Sequence, residues 1–211
     1  MPFLLMNLNL VQFWEPEILG HYAPEFKDEA IIVCSDFTEA ELKEFSQKKR
    51  KYGTKFFSCK LLVRKDNNEM QRFRRLADFV AVQGSSPEMC FWAGTQKADL
   101  LVQPFSSQKN FLDSQTITVL KQNGVFTAFL FSDFLAARSF EQSQLLKNAM
   151  LSLKLLEKAD AKTLFFSGAR NETEMRAAKD LSSFAVFLGM KKDSALKAAR
   201  KSTEEFLERV E

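Results

Sequence analysis

Two aspartates stand where a metal-dependent hydrolase would place ligands, directly after short apolar runs of the chain. Asp36 follows residues 30–34, and Asp133 follows residues 125–131. Carboxylate oxygens are the ligands that Mg²⁺ prefers, so two such groups at one face would hold that ion together. The simpler interpretation is that Asp36 begins a turn and Asp133 caps one. We favour the turns, because aspartates in turns are so common.

Histidine is nearly absent, which limits the chemistry further. His21 is the single imidazole of the chain and has no sequence partner as nucleophile or ligand. Hydrolase centres with two or three metal ions usually draw on several imidazoles. Glycine-dependent phosphate loops and the Gly-x-Ser-x-Gly elbow are also missing from the sequence. A barrel enzyme acting on a small phosphorylated metabolite would need an acid–base pair that the sequence does not show.

Positive charge is clustered, although the net charge is only +3. Clustered cations are what binding to a phosphate backbone requires. The alternative for the start of the first cluster is a helix end, where cations interact favourably with the helix dipole. The first cluster contains no acidic residue and comprises Lys48, Lys49, Arg50, Lys51, Lys55, Lys60, Arg64 and Lys65. Arg72, Arg74 and Arg75 follow it, and a second cluster comprises Lys191, Lys192, Lys197, Arg200 and Lys201.

The elements that must position these residues follow from the hydrophobic pattern. Hydrophobic residues make up 45% and charged residues 27% of 211 residues, which indicates one globular domain over residues 1–211. Short continuously apolar runs, separated by amphipathic helical segments, are typical of buried parallel strands. They are residues 3–10, 30–34, 55–63, 79–83, 99–102, 125–131 and 163–166. The pattern predicts an α/β fold, a TIM-barrel-like (β/α) barrel of seven or eight parallel strands with extra C-terminal helices; a doubly wound sheet is the alternative.

Helix boundaries carry signals of their own. Three pairs have the spacing of a capping box: Thr38 with Glu41, Ser139 with Gln142, and Ser202 with Glu205. Three glycines indicate helix ends: Gly53, Gly124 and Gly189. The dipeptide Ala-Asp stands three times where a helix precedes a strand, at residues 77–78, 98–99 and 159–160. An apolar stripe predicts the buried face of a long helix, and it comprises Leu145, Leu146, Ala149, Met150, Leu153 and Leu156.

In such barrels functional side chains project from the carboxyl ends of the strands. The last predicted strand ends before Ser167, so we expect Arg170, Arg176 and Lys179 on the following loop and helix start. Positive side chains at a helix N-terminus oppose the helix dipole, which indicates an external partner such as RNA phosphate. The alternative is a surface ion-pair cluster with the neighbouring Glu172 and Glu174, worth under about 1 kcal/mol per pair.

The cysteines and the N-terminus bear on the compartment. Cys34, Cys59 and Cys90 are odd in number and widely spaced, which favours a reducing cytoplasm. The first ten residues lack a basic region and are interrupted by Asn7 and Asn9, so no signal peptide is predicted. The longest uncharged Phe-rich stretch, residues 125–132, is far shorter than the roughly 20 residues that span a bilayer. We expect a cytoplasmic protein without a membrane partner.

Several short segments of the second half occur in an order and spacing that are together specific. They are Val-Ala-Val-Gln-Gly at 80–84, Lys-Ala-Asp-Leu-Leu-Val-Gln-Pro at 97–104, Lys-Gln-Asn-Gly-Val at 121–125, Leu-Leu-Lys-Asn-Ala at 145–149, Ser-Gly-Ala at 167–169, Arg176 with Lys-Asp-Leu at 179–181, and Leu-Gly-Met at 188–190. With these segments the chain, from about residue 79 to residue 207, resembles protein component 3 of ribonuclease P, a barrel subunit shared by archaeal and eukaryotic nuclear enzymes. The sequence departs from that family at Cys90-Phe91, Asp133, Gln142 and Ala178.

The resemblance implies a function. In ribonuclease P the RNA subunit, with Mg²⁺, hydrolyses the phosphodiester that joins the 5′ leader to a precursor tRNA. Component 3 pairs with protein component 2, acts beside the other protein components, and supports the catalytic RNA without binding a cofactor itself. The rival hypothesis is an autonomous metal-dependent phosphoesterase that uses Asp36 and Asp133. The RNA-binding candidates are Arg170, Arg176, Lys179, Lys109, Lys48, Lys49, Arg50, Lys51, Arg64 and Lys65.

Phenylalanine, with 22 copies, is more abundant than one barrel core obviously needs. Part of this surplus is expected on the surface, as an apolar patch for protein component 2. Phe111, Phe134 and Phe140 flank helix starts near turns and are the candidates for this patch. The alternative is that all three belong to the core.

Overall fold

Seven parallel strands form one sheet in sequence order in the computed structural model, which describes residues 8–15, 17–19, 30–51 and 55–208. His21, Gly53 and the start of the first predicted strand lie outside the described residues. All neighbouring strands are parallel, as the continuously apolar runs predict. The strands are β1 (Leu8–Val11), β2 (Ala30–Ser35), β3 (Lys55–Leu62), β4 (Phe79–Gln83), β5 (Leu100–Val102), β6 (Phe126–Leu130) and β7 (Thr163–Phe166).

The first and last strands meet, so the sheet closes into a TIM-barrel-like ring. The Gly168 amide donates to the Leu10 carbonyl at 2.9 Å, and the Gln12 amide donates to the Ala169 carbonyl at 2.7 Å. Gly168 has φ +60°, and a Cβ at this position would lie 2.7 Å from the Leu130 Cβ. Glycine is therefore required where β7 leaves the seam.

The interior of the barrel is filled by alternate residues of every strand, while the intervening residues face the surrounding helices. The C-terminal helix closes the end at which the strands begin. Its Phe206 is fully buried and stacks on Phe79, the first residue of β4, with ring centroids 4.4 Å apart. Phe206 also meets the ring of Phe126, the first residue of β6, edge to face at 5.2 Å. The opposite end, where the strands finish, carries the loops that lead from each strand into the next helix.

Eight helices of six or more residues surround the sheet in the described part of the chain. They are α1 (Glu39–Lys48), α2 (Asn67–Phe73), α3 (Pro87–Thr95), α4 (Ser114–Gln122), α5 (Phe131–Ala136), α6 (Ser139–Lys158), α7 (Ala178–Phe187) and α8 (Lys192–Leu207). Gly124 and Gly189 have φ of +68° and +110°, which confirms the helix ends predicted there. None of the helices described has both the length and the hydropathy that crossing a bilayer requires.

One of the three predicted capping boxes forms. The Thr38 amide donates to the Glu41 carboxylate at 2.7 Å, and the Glu41 amide donates to the Thr38 hydroxyl at 3.3 Å. The prediction at Ser139 is wrong, because Ser139 takes a left-handed φ of +48° in the tight α5–α6 turn and Arg138 precedes the helix without a capping bond. The prediction at Ser202 is also wrong, because that residue lies inside the unbroken helix α8.

All three Ala-Asp dipeptides lie between a helix and the next strand, as predicted, whereas the apolar stripe of α6 is confirmed in part. The Asp78 carboxylate accepts from the Ser58 amide on the preceding strand at 2.7 Å, and Asp99 accepts from the Val80 amide at 2.9 Å. These two aspartates therefore tie successive strands together where they begin, whereas the Asp160 side chain is 97% exposed. Met150 leaves the predicted buried face and is 38% exposed.

Candidate nucleic-acid interface

The Asp36 carboxylate is held by a lysine of the next strand. Lys60 of β3 is 3% exposed and forms an ion pair with Asp36. Its ammonium also donates to the Phe37 carbonyl at 2.9 Å, and it lies 3.1 Å from the Glu69 carboxylate. The ammonium sits 4.4 Å from the centroid of the Phe73 ring. Lys60 is therefore a buried charge that joins β3 to the α1 and α2 layer, and it is not part of a surface for RNA.

The second aspartate lies on the other side of the ring. Asp133 on α5 forms an ion pair with Arg170, which follows β7. Burial raises the pKa of the Asp133 carboxyl above its ordinary value, and the Arg170 guanidinium offsets part of that rise. Asp36 follows β2 and Asp133 follows β6, two strands that are not neighbours in the barrel. Each carboxylate is thus engaged by its own cation, and the structure does not bring the two together.

The loop after β7 is tied down by Arg176. The Arg176 guanidinium donates to the carbonyls of Thr173 at 2.9 Å and Met175 at 2.6 Å, and it lies 5.5 Å from the centroid of the Phe131 ring. The Arg176 carbonyl accepts from the Asn9 side-chain amide of β1 at 3.2 Å. These bonds fix the loop in front of α7, so Arg176 has a structural role whether or not it also contacts a ligand.

Asn9 is a positioning residue that the sequence interpretation missed. It is completely buried on β1, where its side-chain oxygen accepts from the Ser167 amide at 3.0 Å and from the Ser167 hydroxyl at 2.8 Å. The side chain thereby completes the seam between β1 and β7. The available signal in the sequence is a polar residue inside an apolar run.

Lys179 stands in the first turn of α7 and is exposed. Helix α7 begins after Ala177, which provides no side-chain hydrogen bond to the first turn. The neighbouring Asp180 also lies in this turn, so the local net charge is balanced. Of the three cations predicted here, Lys179 alone has an exposed charge that forms no ion pair among the described residues.

The basic run from Lys48 to Lys65 is divided between the two ends of the barrel. Lys48 pairs with Glu44 at 2.6 Å and Lys49 with Asp78 at 2.9 Å, both where β3 begins. Arg64 follows the other end of β3 and is exposed, as is Lys65. An eight-residue strand is about 25 Å long, so the run in the sequence is two separate surfaces in the structure. Lys51 and Lys55 are exposed, while the side chain of Arg50 is outside the described residues.

At the carboxyl end of the barrel, Lys65 acts on the same carboxylate as Lys109, which is a residue of the β5–α4 loop. Both are exposed, and the positive charges of both act on Glu88 in the first turn of α3. The pKa of Glu88 is lowered mainly by the hydrogen bond from the Ser86 hydroxyl, then by the Glu88 backbone amide, and further by these two lysines. Two cations that are 44 residues apart in the sequence thus act on the same carboxylate.

Two of the three predicted partner-binding phenylalanines are core residues. Phe111 is 8% exposed and Phe134 is 3% exposed. Phe134 packs against the rings of Phe184 at 4.8 Å and Phe105 at 6.1 Å, because α5 folds down onto the layer between β6 and α7. The expectation that Phe111 and Phe134 lie on the surface is therefore wrong. Phe140, at the start of α6, is 76% exposed.

In the second basic cluster, Lys191 and Lys192 are exposed at the start of α8. The side chains of Lys197, Arg200 and Lys201 are outside the described residues. In the described ranges, no three His, Cys, Asp or Glu side chains group as metal ligands would.

Known proteins share this fold and sequence pattern. The family model of RNase P subunit p30 matches residues 34–211. Ribonuclease P protein component 3 of Thermococcus gammatolerans is 24% identical over 197 residues, which cover 89% of this chain and 88% of that relative. A chain in the cryo-EM structure of archaeal ribonuclease P with mature tRNA superposes with a TM-score of 0.80 at 17% identity, covering 96% of this chain and 89% of the other.

A more distant structural likeness shows how widely the fold is used. A prolidase in complex with N-methylphosphonate-L-proline superposes with a TM-score of 0.64 at 7% identity, over 97% of this chain and 74% of the prolidase. Fold alone does not assign an activity, so this likeness speaks only for the barrel. The family match, in contrast, rests on sequence and extends from β2 through the last residue of the chain. The chain belongs to the RNase P subunit p30 family.

Proposed function

We propose that this protein is a subunit of ribonuclease P that binds the RNA subunit and protein component 2, and so supports RNA-catalysed removal of 5′ leaders from precursor tRNA. The family match over residues 34–211 carries this proposal. The holoenzyme acts on precursor tRNA, and the RNA subunit with Mg²⁺ supplies the chemistry. Its other protein components are further partners.

The carboxyl end of the barrel is the proposed RNA surface. Lys179, Lys65, Lys109 and Arg64 are exposed there and offer cations to phosphate. Arg170 and Arg176 lie on the loop that leads to Lys179 in the first turn of α7, and they contact phosphate through guanidinium N–H groups beyond those bonded within the protein. The cations at the other end, Lys48, Lys49, Arg50 and Lys51, form a second and separate RNA contact.

The protein itself is proposed to be non-catalytic. Support comes from the two aspartates of the rival hypothesis, because Asp36 pairs with the buried Lys60 and Asp133 pairs with Arg170. A carboxylate that already neutralises a protein cation is a poor ligand for a second one. The surface for protein component 2 is proposed to include Phe140, whose ring is 76% exposed.

The compartment is proposed to be the cytoplasm. Cys34 and Cys59 lie opposite each other on β2 and β3, and both are free thiols. Burial raises the pKa of the Cys59 thiol well above its usual range and the pKa of Cys90 to about 12. Adjacent thiols that remain unpaired support a reducing environment.

Reconstitution tests the proposal. Cleavage of precursor tRNA by the RNA subunit is measured at limiting Mg²⁺ with and without this chain and its partner proteins. We expect the chain to stimulate cleavage, the RNA-free chain to be inactive with Mg²⁺ or Mn²⁺, and the Asp36→Ala variant to stimulate as well as the wild type. Cleavage by the RNA-free protein that Asp36→Ala or Asp133→Ala abolishes would establish the rival phosphoesterase instead.

A further inference from the structure

A groove of about 380 Å³ runs along α3 and is bounded by the β3–α2 loop and the first turn of α4. It is built by three separate segments of the chain, because the β3–α2 loop contributes one wall. The side chains that matter for its chemistry are Lys65, Glu88, Phe91, Trp92, Asp113 and Gln115. The groove therefore combines aromatic rings, carboxylates and a cation in one concave surface.

The floor of the groove is fixed before any ligand arrives. The buried Trp92 donates its indole N–H to the Asn67 side-chain oxygen at 2.9 Å, which ties α3 to α2. Asp113 accepts from the Thr116 amide at 2.7 Å and so caps α4. Phe91 is half-buried and stacks on no other aromatic ring in the described part of the chain. Its ring therefore lines the groove beside anchored neighbours and is available to a flat ligand.

The charges around Phe91 define the ligand further. Glu88 is exposed and remains ionised at neutral pH, since the Ser86 hydroxyl and nearby N–H groups stabilise its carboxylate. The positive charges of Lys65 and Lys109 both act on it, and neither lysine forms an ion pair with a described residue. A matching ligand has a flat aromatic body, a pair of adjacent hydrogen-bond donors for the carboxylate, and anionic groups for the lysines.

Among the nucleobases, guanine meets this description. Its ring N1–H and exocyclic amino group stand side by side on the Watson–Crick edge, so one carboxylate accepts from both. Adenine, cytosine and uracil each place an acceptor next to a donor on that edge, which would face the Glu88 carboxylate unfavourably. The phosphates on either side of a nucleotide in a chain supply the anions for Lys65 and Lys109.

We propose that this groove binds an unpaired guanine of the ribonuclease P RNA subunit, with Phe91 stacking on the base, Glu88 accepting from its Watson–Crick edge, and Lys65 and Lys109 contacting the adjacent phosphates. This inference rests on the proposed RNA-binding function and adds a base-specific contact to it. Single unpaired bases stacked on aromatic side chains are a common mode of RNA recognition.

Binding of short single-stranded RNA tests the groove directly. Pentauridylate carrying guanine, inosine or adenine at its central position is titrated against the full-length protein by fluorescence anisotropy. We expect guanine to bind roughly tenfold tighter than adenine, with inosine between them because it lacks the amino group. Glu88→Gln should remove the preference for guanine, and Phe91→Leu should weaken every oligomer by roughly tenfold.

Matched controls separate the groove from general effects. Glu157→Gln changes an exposed carboxylate on α6, and Phe187→Leu replaces an aromatic residue of α7 that is 59% exposed; both should bind like the wild type. Phe91→Tyr keeps the stacking surface and should restore binding if Phe91→Leu fails to fold.

Binding of the intact RNA subunit is measured in parallel by filter retention. If the wild type binds the RNA subunit but shows no base preference, and the variants of Phe91 and Glu88 change nothing, the groove proposal is overturned while RNA binding stands. Loss of binding to protein component 2 in Phe91→Leu, with RNA binding intact, would overturn it in favour of a protein contact. A wild-type chain that binds no RNA overturns both proposals.

Discussion

The first and second halves of the barrel hold their helix starts by different means. In the first half each helix follows a side chain that accepts a hydrogen bond from its first turn: Thr38 for α1, Asp66 for α2, Ser86 for α3 and Asp113 for α4. In the second half α6, α7 and α8 follow Arg138, Ala177 and Lys191, and none of these makes such a bond. The first half therefore satisfies its helix N-termini locally, whereas the second leaves N–H groups for solvent or an external acceptor.

The two halves also differ in how they hold their carboxyl-end loops. Lys60 balances two carboxylates from a buried position within β3. In the second half Arg170 and Arg176 act from the loop after β7, and both side chains remain partly exposed. The comparison teaches that the buried Lys60 serves the fold of the first half, whereas the loop after β7 keeps its two arginines partly exposed.

The largest expected effect is at Lys60. Lys60→Ala leaves Glu69, whose side chain is 16% exposed, without its cation, and it also removes packing against the Phe73 ring. We expect a loss of about 3 kcal/mol in the free energy of unfolding, because breaking a buried ion pair strands a desolvated charge. Urea denaturation measures the change. Lys65→Ala, an exposed lysine just beyond the same strand, is the control and should change stability by under about 0.5 kcal/mol. Equal effects at the two positions would contradict the structural role of Lys60.

A smaller and pH-dependent effect is expected at Arg170. Arg170→Ala removes the cation that offsets the raised pKa of Asp133, so the pKa rises further in the folded variant. A carboxyl with a raised folded pKa destabilises the protein as pH increases past its unfolded pKa. The variant should therefore lose about 1 kcal/mol at pH 7 and less at pH 4, because protonation of Asp133 as the pH falls removes the charge that pairs with Arg170. Thermal unfolding at the two pH values measures this, and a loss that is equal at both would show that the ion pair is not its cause.

The sequence predicts the strands of this fold but not every interaction between them. The seven strands follow from continuous apolar runs, since a strand buried on both faces needs no partner information to be recognised. The structural role of Lys60 could not be predicted from the sequence. In a linear run of cations, nothing shows that the Lys60 side chain, and not a neighbouring one, pairs with Asp36 and Glu69. Ser139 fails as a cap because the turn from α5 forces it into a left-handed conformation.

The candidate site was predictable to a similar degree. The sequence predicts Lys179, Lys65 and Lys109 as candidate RNA-binding cations, and all three are exposed. That Lys65 and Lys109 both act on Glu88 depends on the order of strands around the ring. Burial of Phe111 and Phe134 likewise depends on the direction in which loop and helix side chains point, which residue type does not reveal.

The difference in capping can be reversed at α7. Ala177 has the extended backbone of an N-cap residue, with φ −69° and ψ 153°. Both Ala177→Ser and Ala177→Asp should therefore stabilise the protein by about 0.5–1 kcal/mol. Only Ala177→Asp adds a negative charge beside Lys179, so it alone should weaken binding of the RNA subunit. Thr38→Ala provides the matched loss of a cap on α1 and should cost about 1 kcal/mol without affecting RNA. If Ala177→Asp binds RNA like the wild type, the start of α7 is not part of the interface.

The smallest effect on stability, and the sharpest test of the RNA surface, is expected at Lys179. Its side chain is exposed and makes no ion pair with the described residues, so Lys179→Ala should leave the unfolding temperature within about 1 °C of the wild type. Loss of one phosphate contact should lower the slope of log K against log salt for the RNA subunit by about one unit. Lys43→Ala, an equally exposed lysine on α1 in the capped half, should leave both affinity and slope unchanged. A flattened slope in Lys43→Ala and not in Lys179→Ala would place a phosphate contact at α1 and none at the start of α7, because the salt slope counts contacts wherever they occur.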